Sequence, residues 1–546
     1  MNKLKKTCIC LCIAVIACLP LLNGSLPYGN DTTFHMNRIE SLVHALYQRD
    51  LYPRIFWYQN YTFGYGSPLF YSIFFLYIPA ALRILGIPMM MTYRIFLFLI
   101  FFACAWTMIT LTEEAVSKDP LTCFLAGLLY VFCTYFFQNT YDRGAIGEAL
   151  GYIFVPVLIR GMYILYRKKE YRRWHILTAG LCGSLLSHNI SFFLSVLTLI
   201  VFCVVHIRIF LKDGKLFLSV FKASLCAFLL TVFFSLPMLE QLMTHLYRVS
   251  GYFANGQTMQ DQAVMLRDLL KVIPYDFDHL CLSNIGLFLL VLPAFVFFTD
   301  SSREIRKCTI FGYIMLIMST QVFPWKYFGM MSFMQFPQRM LIIAPAFLTL
   351  SSAYVIEQQS RRIRYGILTA ACILSAMAVY TQYGYFGLFM DYTQPEMIAD
   401  TGYYYPEDES WYNIMQVSSP DYLLMDTNVH YRYQSRNILH EGEEISDFEN
   451  NYNAIRFTAG SGEYIIPKIF YKGYTAKDDT GTLMPLSYDH DSGLLKVTVP
   501  EDNKNRVITV SYTGTRLQKI TQFISLITLA VLLCTKLYWF FRGLPQ

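Results

Sequence analysis

The residues of this sequence that can do chemistry lie in a few short stretches. "GNDTTFHMNRIESLVHALYQRD", Gly29 to Asp50, holds Asp31, His35 and Arg38 close together. "YDRGAIGEALG" adds Asp142, Arg143 and Glu148, "LLSHNIS" adds His188, and "FMQFPQRML" adds Arg339. A carboxylate can take the proton of an attacking hydroxyl. Arginine binds phosphate through two parallel hydrogen bonds. "YDFDHL", Tyr275 to Leu280, gathers Asp276, Asp278 and His279, types that ligate a divalent cation. Each stretch also has a plainer structural reading. Asp31 can be a helix N-cap with a solvated face behind it, and Glu148 the acidic first turn of a helix. His188 can be a turn histidine, Arg339 an interfacial arginine, and "YDFDHL" an acidic loop.

The elements that must position these residues are membrane spans. The 546 residues are 55% hydrophobic and 15% charged, with 44 Phe and 41 Tyr. Soluble proteins carry about 25% charged residues. Apolar runs of about 20 residues, enough to cross a hydrocarbon core about 30 Å thick, recur along the chain. The net charge of +6 sits in short basic clusters between these runs. That is a topology signal and excludes a nucleic-acid-binding role. The expected fold is a polytopic all-α membrane protein of about 12 transmembrane helices with a small extracellular β-rich domain near the C-terminus. Spans are expected from the first apolar run and then near 92–112, 121–138, 150–166, 174–188, 190–211, 216–237, 283–299, 307–323, 340–356, 365–383 and 518–541.

The basic loops set the orientation. "YRKKEYRRW", "REIRK" and "RRIR" belong on the cytoplasmic side. Three lysines before the first apolar run place the N-terminus there too. All three loops face inward only if "SPLFYSIFFLYIPAALRILG", Ser67 to Gly86, does not cross and is instead re-entrant or interfacial. Both termini are then cytoplasmic, and residues 24–91 form one long outer loop. The stretches with Asp31, Arg143, His188 and Arg339 all fall at the outer face. Within Gly29–Asp50, Ile39, Leu42, Val43 and Leu46 mark the apolar side of a helix. Asn37, Glu40, His44 and Gln48 take the other side, which suits a helix lying in the interface.

Residues 1–383 are read as the transmembrane domain, 384–516 as the β-rich domain, and 517–546 as a last helix with a cytoplasmic tail. "LLKVTVP" and "RVITVSY" around "EDNKN" read as a hairpin. "DHD", Asp489 to Asp491, reads as a polar turn. The 14 cysteines lie in or beside the apolar runs. Their absence from the polar region favours a bacterial cell surface.

The stretches gain meaning together, since all fall at one membrane depth. Converging, they would form a pocket for a substrate with an apolar tail and an anionic head. At these residues the chain resembles the GT-C membrane glycosyltransferases. More narrowly, "GNDTTFHMNRIESL", "YPRIF…GYGSPLFY…LYIPA", "DRGAIGEALG", "LLSHNIS" and the "MQFPQRML" stretch resemble the bacterial YfhO-like membrane proteins. That group includes members labelled 6-pyruvoyl-tetrahydropterin synthase-related, although nothing in this chain suggests pterin chemistry. Gln338 stands where the pattern has an aromatic residue.

The resemblance implies a plasma-membrane glycosyltransferase of the inverting kind. Its donor would be a polyprenyl-phosphate sugar from the lipid bilayer. Its acceptor would be a hydroxyl of a cell-envelope glycan, teichoic acid or lipid. No cofactor is required and a divalent cation is optional. Asp31 falls where GT-C enzymes place their base, with His35 and Glu148 as its catalytic companions. Arg38, Asp142, Arg143, His188 and Arg339 become substrate-binding. Two rival readings are a flippase or transporter of lipid-linked glycans and a non-catalytic envelope-assembly protein.

Overall fold

The computed structural model describes residues 1–23, 31–251, 258–271, 284–389, 421–425, 434–502 and 504–541. Its helices are α1 (Lys3–Ala17), α2 (Thr32–Tyr47), α3 (Ser67–Phe70), α4 (Tyr77–Ile84), α5 (Met89–Ala115), α6 (Pro120–Val131), α7 (Thr134–Tyr141), α8 (Ile146–Tyr166) and α9 (His175–Ser187). They continue with α10 (Asn189–Val205), α11 (Ile207–Lys212), α12 (Gly214–Thr244), α13 (Leu287–Val291), α14 (Arg303–Met318), α15 (Ala344–Glu357), α16 (Arg361–Phe389) and α17 (Arg516–Phe541). Local chemistry sets several starts. Asp119 accepts from the Leu121 and Thr122 amides with Pro120 at the first helical position, and Ser302 accepts from Ile305. Both are ordinary N-caps.

By length and composition, six helices suffice to cross a membrane among the described residues, or seven if the bent pair α6–α7 counts as one. This meets the expected twelve spans only in part. Helices α1, α9, α10 and α14 hold 15, 13, 17 and 16 residues, short of the ~20 needed to span alone. The expected span 283–299 is broken at Leu292 into α13 and a 3-10 turn. Ser67–Gly86 forms no span-length helix. It breaks into α3, a 3-10 turn and α4.

The bundle has two chemically different ends. At one end Glu114 receives Lys168, Arg160 at 2.9 Å and Arg173 at 3.4 Å. Arg364 meets Asp119 at 3.2 Å, and Glu304 meets His206 at 3.1 Å and Tyr166 at 3.3 Å. All three basic loops therefore collect at this end. At the other end lie the start of α8, the α9–α10 turn and the C-terminal end of α12. The long first loop packs there too.

Residues 438–512 form two antiparallel five-stranded sheets. The first runs β2 (Glu443–Ile445), β1 (Ile438–His440), β5 (Gly462–Ile469), β9 (Leu494–Val499), β8 (Leu486–Tyr488). The second runs β3 (Phe448–Asn451), β4 (Ala454–Ala459), β10 (Arg506–Tyr512), β6 (Tyr474–Lys477), β7 (Leu483–Met484). Ile438, Ile466 and Val497 from one sheet and Ile455, Phe457, Ile508 and Val510 from the other share a core. The expected β9–β10 hairpin is corrected: β9 pairs with β5 and β8, and β10 with β4 and β6. The link between them crosses from one layer to the other. "DHD" is a turn, in which Asp489 accepts from the Ser492 amide at 2.8 Å.

The β-sandwich is fastened to the first loop. Lys468 donates to the Thr62 carbonyl at 2.9 Å, the Ile469 amide to Phe63 at 2.9 Å, and Gln241 of α12 to Lys472 at 2.7 Å. Phe70, Tyr247, Tyr422 and Tyr471 stack in one buried aromatic cluster.

Candidate functional site

Asp31 occupies the N-cap position of α2, yet its side chain makes no capping bond. The carboxylate instead meets the Arg143 Nε at 3.3 Å, and 32% of the Asp31 side chain stays open. The Asp31 amide donates to the Arg143 carbonyl at 2.8 Å. Backbone and side chain thus bind the same partner residue, so the plainer reading as a helix cap does not describe this aspartate.

Arg143 also reaches Glu148 at 3.3 Å, and Arg339 reaches the same carboxylate oxygen at 3.2 Å. The other Glu148 oxygen accepts from the Tyr135 hydroxyl and the Asn139 amide, both at 2.9 Å. Arg339 donates in addition to the Met334 carbonyl at 2.9 Å. Both guanidinium groups lie over the Phe336 ring, 5.3 and 5.2 Å from its centre. Glu148 and Arg339 are buried, as a hydrogen-bonded ion pair can be.

Two glycines of the "DRGAIGEALG" stretch allow the approach. At Gly144, φ is +70°, and an added Cβ would stand 2.8 Å from the Thr32 amide nitrogen. A Cβ at Gly147 would fall 1.5 Å from the Tyr71 hydroxyl oxygen. Only glycine lets three chain segments close to this distance.

The histidines fall beside this cluster. His35 packs edge-on to Tyr71, with ring centres 5.8 Å apart, and Tyr71 lies 6.0 Å from the His188 ring. Arg38 Nη1 stands 3.4 Å from His35 Nδ1. Arginine can only donate, so this contact assigns the His35 proton to Nε2. Burial and then Arg38 hold the His35 pKa well below its ordinary value, which keeps the ring neutral. His188 Nδ1 accepts from the Ser191 amide at 3.3 Å and so caps α10. Next to it, Asn189 donates to the Phe70 carbonyl at 2.7 Å.

Two further candidates are placed otherwise than the sequence suggested. Arg38 is 1% exposed and donates to the Tyr71 and Ser72 carbonyls at 2.9 and 2.8 Å. It holds the loop that carries Tyr71. Asp142 ends α7 and is pushed up to about 7 by burial. No ion pair among the described residues brings it to Glu148 or Arg339. On the face of α2 read as solvated, Asn37 and Glu40 are buried, since α4 packs there and Arg83 pairs with Glu40 at 2.9 Å, while His44 is half-buried and Gln48 exposed.

Burial raises the Asp31 pKa above the ordinary aspartate value, Arg143 draws it down, and Glu148 pushes it up again. Asp421 adds to the upward push. It arrives on the 421–425 segment, which pairs with 246–249 through Val249 to Asp421 at 2.8 Å and Arg248 to Leu423 at 3.0 Å. Sequence reasoning missed Tyr135, Asn139 and Asp421, because nothing in their local pattern marks them, and it passed over Phe336 inside the quoted "FMQFPQRML". Tyr71 had a signal, since it ends the quoted "GYGSPLFY". Asp276, Asp278 and His279 lie outside the described residues. Among the described residues, no three His, Cys, Asp or Glu gather to hold a metal ion.

A family model described as "6-pyruvoyl-tetrahydropterin synthase related domain; membrane protein" matches residues 69–386. A protein of Lactococcus lactis subsp. cremoris strain MG1363, described as uncharacterized, is 23% identical over 594 aligned positions. The alignment covers 97% of this chain and 95% of that one.

Proposed function

This chain belongs to the 6-pyruvoyl-tetrahydropterin synthase related family of membrane proteins, and on that premise we propose that it is an inverting membrane glycosyltransferase of the GT-C kind. The observation that carries the reading is the placement of Asp31. It is a partly open carboxylate, released from helix capping and paired with Arg143, which shares Glu148 with Arg339 at one end of an apolar bundle.

In this reading the donor is a sugar on a polyprenyl phosphate, whose tail stays in the bilayer. Asp31 takes the proton of an acceptor hydroxyl. The oxygen attacks the anomeric carbon in line, the bond from that carbon to the phosphate oxygen breaks, and its electron pair leaves with the phosphate. Arg143 offsets the charge that develops there. Arg339 holds Glu148, and Glu148 holds Arg143, so both act as positioning residues for the phosphate site. His35, buried and neutral beside Tyr71, acts as a positioning residue for Asp31 or the sugar. A phosphate leaving group needs no proton, so one base suffices.

This end of the bundle would face the outside of a bacterial plasma membrane, with the three basic loops in the cytoplasm. The test is to incubate the purified protein, in lipid, with a panel of polyprenyl-phosphate sugars and hydroxyl acceptors. Transfer with inverted anomeric configuration is expected. Retained configuration, or donor movement across the bilayer without transfer, would overturn the proposal.

A further inference from the structure

A second polar site lies at the far end of α2. With 16 residues at about 1.5 Å each, α2 puts roughly 24 Å between Asp31 and Gln48. There a cleft of about 550 Å³ opens between the first loop, the β-sandwich and the start of α17. Its walls are aromatic: Tyr52 and Trp57 from the loop, Tyr452 and Tyr512 from the sandwich. Between the rings stand the planar amides of Gln48, Asn453, Gln518 and Gln522.

The charge is uneven. Arg49, Arg54 and Lys519 line the cleft against one acid, Asp50, which accepts from the Tyr452 hydroxyl at 3.4 Å. Arg54 is 8% exposed. Its guanidinium lies over the Tyr52 ring at 4.4 Å, and its Nη2 donates to the Phe233 carbonyl at 3.3 Å. Its Nη1 and the Tyr52 hydroxyl are buried and have no hydrogen-bond partner among the described residues. Buried polar groups are nearly always satisfied. A buried arginine with an unused donor, in an aromatic cleft of net positive charge, is a site built to receive an anion on a larger ligand.

We propose that this cleft binds an anionic glycan: a chain of sugar or polyol units carrying carboxylate or phosphate groups. The aromatic faces lie along the rings of the chain, the amides pair with its hydroxyls, and Arg54 takes the anionic group. In naming this chain the acceptor, the inference rests on the transferase reading. The cleft then grips the acceptor several units back from the end presented to Asp31.

Calorimetry on the full chain in nanodiscs at low salt tests it with four probes: a hyaluronan tetrasaccharide, a glycerol-phosphate tetramer, neutral chitotetraose and inorganic phosphate. One or both anionic chains should bind, and which one does identifies the anion. Arg54→Gln should weaken that binding about tenfold, the scale of a lost charge-assisted hydrogen bond. Lys519→Glu, at an exposed position, should weaken it without risk to folding. Four results would overturn the assignment. Phosphate as tight as the chains would mean a simple ion site. Chitotetraose as tight as the anionic chains would remove the charge requirement. No binding of any chain would leave Arg54 to water. Unchanged affinity in both variants would place the glycan elsewhere. Binding is read without donor lipid, so it is independent of transfer. Glycan binding in a protein that transfers no sugar would sink the transferase reading alone, and transfer without cleft binding would sink this inference alone.

Discussion

The two ends of the bundle each gather arginines on a glutamate, and they use them differently. At the end with the basic loops, Glu114 holds Arg160, Lys168 and Arg173, whose side chains keep between 23% and 33% of their surface in the open. Lys168 and Arg173 share the loop between α8 and α9, Arg160 stands near the end of α8, and water can replace the carboxylate. At the other end, Glu148 and Arg339 are 2% and 5% exposed, and glycines bring separate segments against one another. The partly open acid there is Asp31, which is tied to Glu148 only through Arg143. One cluster fastens helix ends; the other is a sealed support beneath an accessible carboxylate.

The sharpest way to break this contrast is Glu148→Gln. It leaves Arg339 charged, buried and without its counter-ion, which costs about 3–5 kcal/mol. A large fall in thermal stability of the purified protein is expected. A change no larger than that of a surface mutant would mean the support is not sealed. Next is Gly147→Val. Its Cβ meets the Tyr71 hydroxyl oxygen, and overpacking of this kind costs about 1–3 kcal/mol. Addition of Tyr71→Ala should recover part of the loss in thermal melting if the clash is the cause. The smallest effect belongs to Glu114→Gln, about 1 kcal/mol or less, because its partners remain hydrated. A loss as large as that of Glu148→Gln would erase the distinction between the ends.

The sequence made α2 legible through Ile39, Leu42, Val43 and Leu46, and the basic loops set apart Ser67–Gly86, the stretch that breaks into short helices. It did not reveal that Asn37 and Glu40 on the polar side of α2 are buried. The partner that makes this possible, Arg83, is 43 positions away from Glu40. Alternation marked β9 and β10 as strands, but strand pattern carries no information on pairing, so a two-layer link read as a hairpin. Arg38 looked like a ligand for a substrate because its type and place allowed it. Its work on the Tyr71 and Ser72 carbonyls depends on a fold that no local pattern encodes. Asp31, Arg143, Glu148 and Arg339 were readable as residue types in quoted stretches. Tyr135, Asn139, Phe336 and Asp421 join them only through tertiary packing.

The central claim is that Asp31 is a base, and sugar transfer by wild type beside Asp31→Asn tests it most directly. The exchange barely alters volume and removes a carboxylate that burial disfavours, so the fold and donor binding should persist. Turnover should fall by about 10²–10⁴-fold, the usual share of a general base. Because the Asp31 pKa is raised and a base works deprotonated, wild-type turnover should increase with pH through a midpoint above the ordinary carboxylate value of about 3.9. Arg143→Gln removes a group that draws that pKa down, and should move the midpoint higher still. Equal turnover of Asp31→Asn and wild type, with donor bound by both, would contradict the account.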